Sequence, residues 1–385
     1  MQVNCSFKVI FIVLLGVAFT LGATGLTGFS QVTNYSNNLS LCNYTIPETT
    51  YQSLGLDFNY HFYDDPSLSE EGDINRGSAF GDYDYIYSNP TYSINLDSNA
   101  SLSVSRNELT YDATGGARYN AYLTETALFG FGGFRANTSS SFAENFGLKV
   151  LTGSGLGRFK NVTPLVKAVL IRNTLQGRRA AFADMPDELV REVAQIIGRI
   201  GPEKSLDDAV TEITELIESD DELDVGNLDA VEVLRIREII QEGTDQRLCG
   251  WEFRAGLGYE VIDPEGEPRD FLVNSAVRYA RPFTTNSQLT MGLDFTSPFE
   301  LTETYTINGQ VSYTYQFLRN VDTKFQYSLL YQQGTSLYYN HSFSALAEIQ
   351  IRRDLSSSIV INLNDNSDYE EMTKEITVGL SFTLL

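Results

Sequence analysis

The stretch Glu303–Leu318, ETYTINGQVSYTYQFL, decides how the rest of the chain is read. Every second residue is aromatic or aliphatic: Tyr305, Ile307, Val311, Tyr313, Tyr315 and Phe317, with Gly309 the one gap. Between them stand Thr306, Asn308, Gln310, Ser312, Thr314 and Gln316, all polar and uncharged. A period of two over this length predicts a strand with one apolar face and one wet face. The apolar face is longer than the about 9–11 residues that a tilted strand needs to cross a bilayer. Tyrosine suits a membrane interface, with its ring buried and its hydroxyl in water. The stretch therefore reads as a membrane-spanning strand of a closed barrel, with lipid outside and water or polar packing inside.

The pattern persists to the end of the chain. Alternation marks Trp251–Ile262, Phe271–Arg281, Gln288–Thr296, Thr302–Leu318, Val321–Gln332, Leu337–Ile351, Leu355–Leu363 and Lys374–Leu384. Turn residues such as Asp263-Pro264-Glu265-Gly266 and Asn364-Asp365-Asn366 separate them. In the first half Tyr51–Tyr63 is a clear strand, while Tyr83–Leu109, Ala117–Arg135 and Phe142–Phe159 show blurred boundaries. Asp64–Asp82 is acidic, carries Pro66, Gly72 and Gly77, and reads as a long loop. The expected fold is mainly β: an antiparallel transmembrane β-barrel of about 12 strands, four before a helical insert and eight after it, with 14 as the alternative count. A soluble β-sandwich is the competing architecture; eight regularly spaced strands in an exported chain weigh against it.

The period changes at Thr163. Thr163-Pro164 reads as an N-cap followed by proline at the first helical position. Pro186–Ile200 carries Leu189, Val193, Ile196, Ile197 and Ile200 at helical spacing. Ser205–Glu218 opens on Ser205 as N-cap, with Asp207 and Asp208 in the first turn favouring the helix dipole. Asn227–Glu242 opens on Asn227 and ends at Gly243. None of these helices is apolar all round, so they pack on one another or on a partner rather than in lipid.

At 385 residues the chain has room for one large domain or two ordinary ones. The formal charge of -23 argues against nucleic acid, whose phosphates would be repelled. Twenty-two tyrosines and 23 phenylalanines against one tryptophan suit interfacial girdles. Lys8 followed by the apolar run Val9–Phe19 and the small residues Gly22–Gly25 predicts an export signal over residues 1–25, a retained anchor being the alternative. Residues 26–50 then read as a periplasmic lead-in, 51–159 as the first part of the barrel, 160–249 as the insert and 250–385 as the second part. After cleavage Cys42 and Cys249 remain, and they can pair or stay as two thiols.

The last strand resembles the terminal recognition signal of bacterial outer-membrane β-barrel proteins. Gly379, Phe382 and Leu384 stand where that signal has its glycine and alternating apolar residues, although the chain ends in Leu385 where phenylalanine is commonest. The resemblance is to a class, not to one protein. It implies a Gram-negative outer-membrane location, contact with outer-membrane lipid, assembly by the barrel-assembly machinery, and periplasmic termini. Counting strands from a periplasmic start then puts residues 163–247 in the periplasm, facing a periplasmic protein or the cell wall. It implies no activity.

Few constellations offer chemistry. The glycines Gly153, Gly155 and Gly157 before Arg158 and Lys160 match no nucleotide fingerprint and read as small residues where the backbone leaves the barrel wall. His61 and His341 are the only histidines. Ser342 adjoins His341 but strand neighbours face opposite ways, so the two form no dyad. No catalytic, cofactor or metal site is expected. The inward set does carry both signs: Asp57, Glu252, Arg254, Glu260, Arg278, Lys324, Glu348 and Arg352. Such residues would set solute preference in an open lumen or pair across it and plug it. Two functions remain at this stage: a porin-like passive channel for small polar solutes, and a structural protein whose barrel anchors a partner-binding helical domain.

Overall fold

The computed structural model describes residues 41–43, 48–63, 74–105, 108–123, 127–142, 146–178, 185–201, 204–220, 226–241, 246–264, 270–299, 304–318, 320–334, 337–352, 355–367 and 372–382, with 144 and 223. The expected signal segment, most of the lead-in and His61's side chain lie outside the described residues. Fourteen antiparallel strands follow one another in a single sheet, each bonded to its neighbours in sequence. They are β1 (Thr49–Tyr63), β2 (Ile74–Ser88), β3 (Tyr92–Ser105), β4 (Glu108–Tyr122), β5 (Leu128–Ser139) and β6 (Gly147–Asn161), then β7 (Leu248–Ile262), β8 (Phe271–Thr284), β9 (Ser287–Pro298), β10 (Tyr305–Leu318), β11 (Val321–Gln333), β12 (Leu337–Arg352), β13 (Leu355–Asn366) and β14 (Thr373–Phe382). The sheet curls until β1 and β14 approach within 8 Å, Cα to Cα.

The count is the alternative fourteen rather than twelve, and six strands rather than four precede the helices. The two extra strands lie in β2–β5, where the outward positions hold Gly81, Ala100, Ala113, Gly115 and Ala136. Small residues carry no hydropathy contrast, so the period of two is present in the backbone but faint in the sequence. Residues 74–82, read above as loop, are the first half of β2.

The opening stretch forms β10, which pairs with β9 over Thr306–Tyr315 and with β11 from Tyr305 to Leu318, with a register shift between Gln316 and Leu318. Its polar residues Gln310 and Ser312 line an internal cavity while Tyr315 and Phe317 stand exposed on the other side. The same division runs round the sheet. On β14 Ile376 and Val378 are 73% and 71% exposed. Leu257, Val277, Leu293, Phe325, Ile359 and Ile361 are exposed on β7–β13. A continuous apolar belt of this extent is untenable in water and is the expected face of a barrel in lipid. Among the described residues no helix is long and apolar enough to cross a membrane.

Four helices stand between β6 and β7: α1 (Thr163–Gln176), α2 (Asp187–Gly198), α3 (Leu206–Glu218) and α4 (Ala230–Gln241). They pack on one another, α1 on α2 and α4, and α3 on α2 and α4. Leu165, Ile171, Leu175, Ile213, Ile217 and Ile236 are fully buried between them. Each such side chain contributes about 1.5–3 kcal/mol, so the bundle has a core of its own. Ser205 caps α3 by accepting from the backbone N–H of Asp208. The other two caps differ from expectation. Asn161, not Thr163, offers the side-chain oxygen at the start of α1, bonding the Thr163 N–H at 3.1 Å. Asp229, not Asn227, caps α4, its carboxylate accepting from Glu232 N–H at 2.8 Å while Glu232 accepts from Asp229 N–H at 2.9 Å. This reciprocal pair is a capping box, which satisfies two end donors at once.

Candidate functional site: the lumen and its insert-side mouth

Along β7 the pleat sets Trp251, Phe253 and Leu257 outward and exposed, and Glu252, Arg254 and Glu260 inward. On β8 Val277 and Tyr279 face out with Arg278 between them, and on β11 Lys324 precedes exposed Phe325. Glu348 sits likewise between exposed Ala347 and Ile349. The side chains of Asp57, Arg352 and Phe382, and Leu384 altogether, lie outside the described residues; Gly379 sits in β14 opposite Ser358.

One internal cavity of about 480 Å³ brings many of these groups together. Glu252, Arg254, Arg278 and Lys324 line it with Arg118 of β4, and Asp84 and Asp97 line it from β2 and β3. Strands far apart in the sheet thus look into one space, which makes it a lumen. Arg118, Asp84 and Asp97 lie in Tyr83–Leu109 and Ala117–Arg135, whose strand boundaries are blurred in the sequence, so the pleat does not assign them to the inner face.

The charges are networked. Glu252 is almost fully buried and lies 3.0 Å from Arg254 Nε and 3.9 Å from an Arg118 Nη. Arg278 stands directly opposite Glu252 in the β7–β8 register. It donates from Nη2 to both carboxylate oxygens of Asp294, at 2.9 and 2.7 Å. Nearer the other end, Lys149 pairs with Glu260 at 2.5 Å and Arg135 with Asp97 at 3.1 Å. Gly292 shapes this wall, since a Cβ there would fall 2.5 Å from Arg278 Nη1. A side chain there would require the Arg278 guanidinium to shift from its place beside Asp294.

The glycines of β6 have a comparable role, and they lie inside a strand rather than at a bend. Phe129 and Phe131 of β5 point inward and are buried. A Cβ on Gly155 would meet the Phe129 ring at 2.2 Å, and one on Gly153 would meet Phe131 at 2.8 Å. The rings thus occupy the room that the glycines leave. Arg158 lies over the Tyr122 ring, 4.3 Å from its centroid, and donates to the carbonyls of Asn89 and Pro90 in the β2–β3 turn. These contacts hold it against the β2–β3 turn at the mouth.

The helices join the barrel through a buried polar hinge point. Arg247 is 2% exposed. Its N–H donates to Thr163 Oγ1 at 2.9 Å, its guanidinium to Thr314 Oγ1 at 3.2 Å and to the Thr285 carbonyl at 3.4 Å. Gln288 adds bonds to Leu248 N–H and the Gln246 carbonyl. Both chain crossings of the insert are therefore fixed to the ends of β9 and β10. At the same end Cys42, in a single turn at Leu41–Asn43, is disulfide-bonded to Cys249 of β7, with a Cα separation of 5.5 Å.

Residues 244–337, which span β7 to β11, match the family described as "Protein of unknown function, DUF481". No curated protein matches the chain in sequence. Among solved structures the chain is similar to the KdgM porin, with 8% identity over 88% of this chain and 99% of that one and a TM-score of 0.29. It is also similar to the TodX monoaromatic hydrocarbon channel deltaS2 mutant, with 9% identity, 91% and 93% coverage and a TM-score of 0.29. OccD3 (OpdP) of Pseudomonas aeruginosa gives 8% identity, 89% and 92% coverage and a TM-score of 0.29. At such values no residue or role is carried across.

Proposed function

We propose that the chain is a Gram-negative outer-membrane channel that passes small polar solutes down their gradient. The observation that carries this reading is the lumenal cavity, lined by charges of both signs, inside a barrel whose outside is apolar. Lining charges select solutes in transit and catalyse nothing. An outer-membrane site fits because bilayer-spanning barrels of this kind stand there, held by outer-membrane lipid after insertion by the assembly machinery.

The insert is read as periplasmic. At its end of the barrel the connections are 89–91, 123–127, 285–286, 319–320 and 353–354, whereas 64–73, 140–146, 263–270, 299–304 and 367–372, together with the short 106–107 and 334–336, lie at the other. Short turns on the periplasmic side and longer loops outside are the usual arrangement. A second reading rests on the independent core of α1–α4: the barrel as an anchor, with the bundle binding a periplasmic protein or the cell wall.

Liposome swelling separates the two. With the purified full chain, swelling in isosmotic arabinose should be clearly faster than in a trisaccharide. Swelling no faster than in protein-free liposomes, from a chain that migrates as a folded barrel, would favour the anchor and sink the channel.

A further inference from the structure

The chain as a whole is strongly acidic, with 50 Asp and Glu against 27 Lys and Arg. The lumenal cavity gathers cations within that acidic chain: Arg118, Arg254, Arg278 and Lys324 line it against Glu252, Asp84 and Asp97, with Asp294 beneath Arg278. Glu252 alone is shared by Arg118 and Arg254. Arg118 is poorly matched there: its nearest carboxylate contact is 3.9 Å, and its Nε is buried with no hydrogen-bond partner among the described residues.

Guanidinium donors kept from water without full pairing are costly. Their planar forks match the two oxygens of a carboxylate or the edge of a phosphate. A cavity of about 480 Å³ is of the size that holds a small molecule. From these facts we infer that Arg118, Arg254 and Arg278 form a lumenal subsite for a small oxyanion, a carboxylate- or phosphate-bearing solute, with Glu252 as the internal carboxylate that it displaces. The inference rests on the channel reading for its role in transport, but the subsite is testable without transport. Lys324, with Gln310 and Ser312 beside it in the lining, would attract the same solute toward the subsite.

The test is calorimetric titration of the purified full chain with succinate, with inorganic phosphate and with neutral succinamide, in parallel with single-channel recording. Succinate or phosphate should bind saturably and interrupt the current, whereas succinamide should do neither. Arg118→Gln and Arg254→Gln should each weaken binding about tenfold, which corresponds to about 1.4 kcal/mol. Glu252→Gln removes the competing carboxylate and should tighten it. Because each variant is first checked for folded-barrel migration, loss of fold is not mistaken for loss of the site. Succinate alone binding identifies a carboxylate solute, and phosphate alone a phosphorylated one. No binding to the native chain, equal binding by succinamide, or weaker binding in Glu252→Gln overturns the subsite. Binding without any current leaves the subsite standing and removes the channel.

Discussion

Cys42, before β1, is bonded to Cys249 near the start of β7, across a sequence separation of 207 residues. In the sheet order β7 lies six places from β1, so the bond joins regions that are distant along the sheet. A crosslink closing so long a loop stabilises by about 2–5 kcal/mol, chiefly by restricting the unfolded chain. Cys42→Ser should therefore lower the temperature at which the barrel loses its folded migration, with no change in the number of strands formed. Alkylation and mass spectrometry without reductant gives the direct check: two labelled thiols in the native chain would contradict the bond.

Gly155 under the Phe129 ring predicts an overpacking defect. Gly155→Ala should destabilise the barrel by about 1–3 kcal/mol. Phe129→Leu in the same chain should recover part of that loss, because the two sites are in contact and their effects do not add. Denaturant unfolding of the four members of the cycle measures it. Additive effects would mean that the ring and the glycine do not meet.

The visibility of this fold in the sequence follows the size of the outward residues. β7–β14 were legible because Phe253, Leu257, Val277, Leu293, Phe325 and Ile359 contrast with polar neighbours. β2–β5 were blurred, since Gly81, Ala100, Ala113, Gly115 and Ala136 interrupt the apolar residues of the same face there. The lumen was half legible for the same reason: the pleat of β7, β8 and β11 gave Glu252, Arg254, Arg278 and Lys324, while Arg118, Asp84 and Asp97 lay in stretches whose strand boundaries were blurred. Asp294 lay in a recognised strand, yet its role depends on a cross-strand contact with Arg278 that no single strand displays. The disulfide was open at the sequence level because Cys42 reaches β7 through a turn that precedes the first strand.

The capping box of α4 predicts a pH dependence confined to the helices. The Glu232 N–H, and after it Arg178, hold the Asp229 carboxyl below its ordinary value of 3.8. A depressed folded value means that the contribution is complete above the unfolded value and is lost as pH falls through the folded one. Amide exchange in α4, corrected for its intrinsic rate, should be level above about pH 5 and rise below about pH 4. Asp229→Asn keeps an acceptor and should abolish that rise. An unchanged profile in the variant would assign the effect elsewhere.

Arg247 fixes the insert to the rim. Arg247→Ala leaves the part-buried acceptors at Thr285 and Thr314 without this donor and should cost about 1 kcal/mol at the joint. The expected phenotype is faster proteolysis between the bundle and β7 while the barrel keeps its folded migration. Equal proteolysis of native and variant chains would show that the joint does not hold the bundle.

Topology has its own check. Six strands before α1 return the chain to the side on which β1 starts. An epitope placed at Ser219-Asp220, between α3 and α4, should be silent on intact cells and bind antibody after permeabilisation. Labelling of intact cells would reverse the barrel and make the bundle a surface domain.

The most direct test of the central claim is single-channel recording of the purified full chain in a planar bilayer. The account predicts discrete, reproducible current steps, with Glu252→Gln altering their ion preference toward anions because it removes a carboxylate from the lining. A chain that inserts as a folded barrel and carries no current in repeated recordings would contradict it.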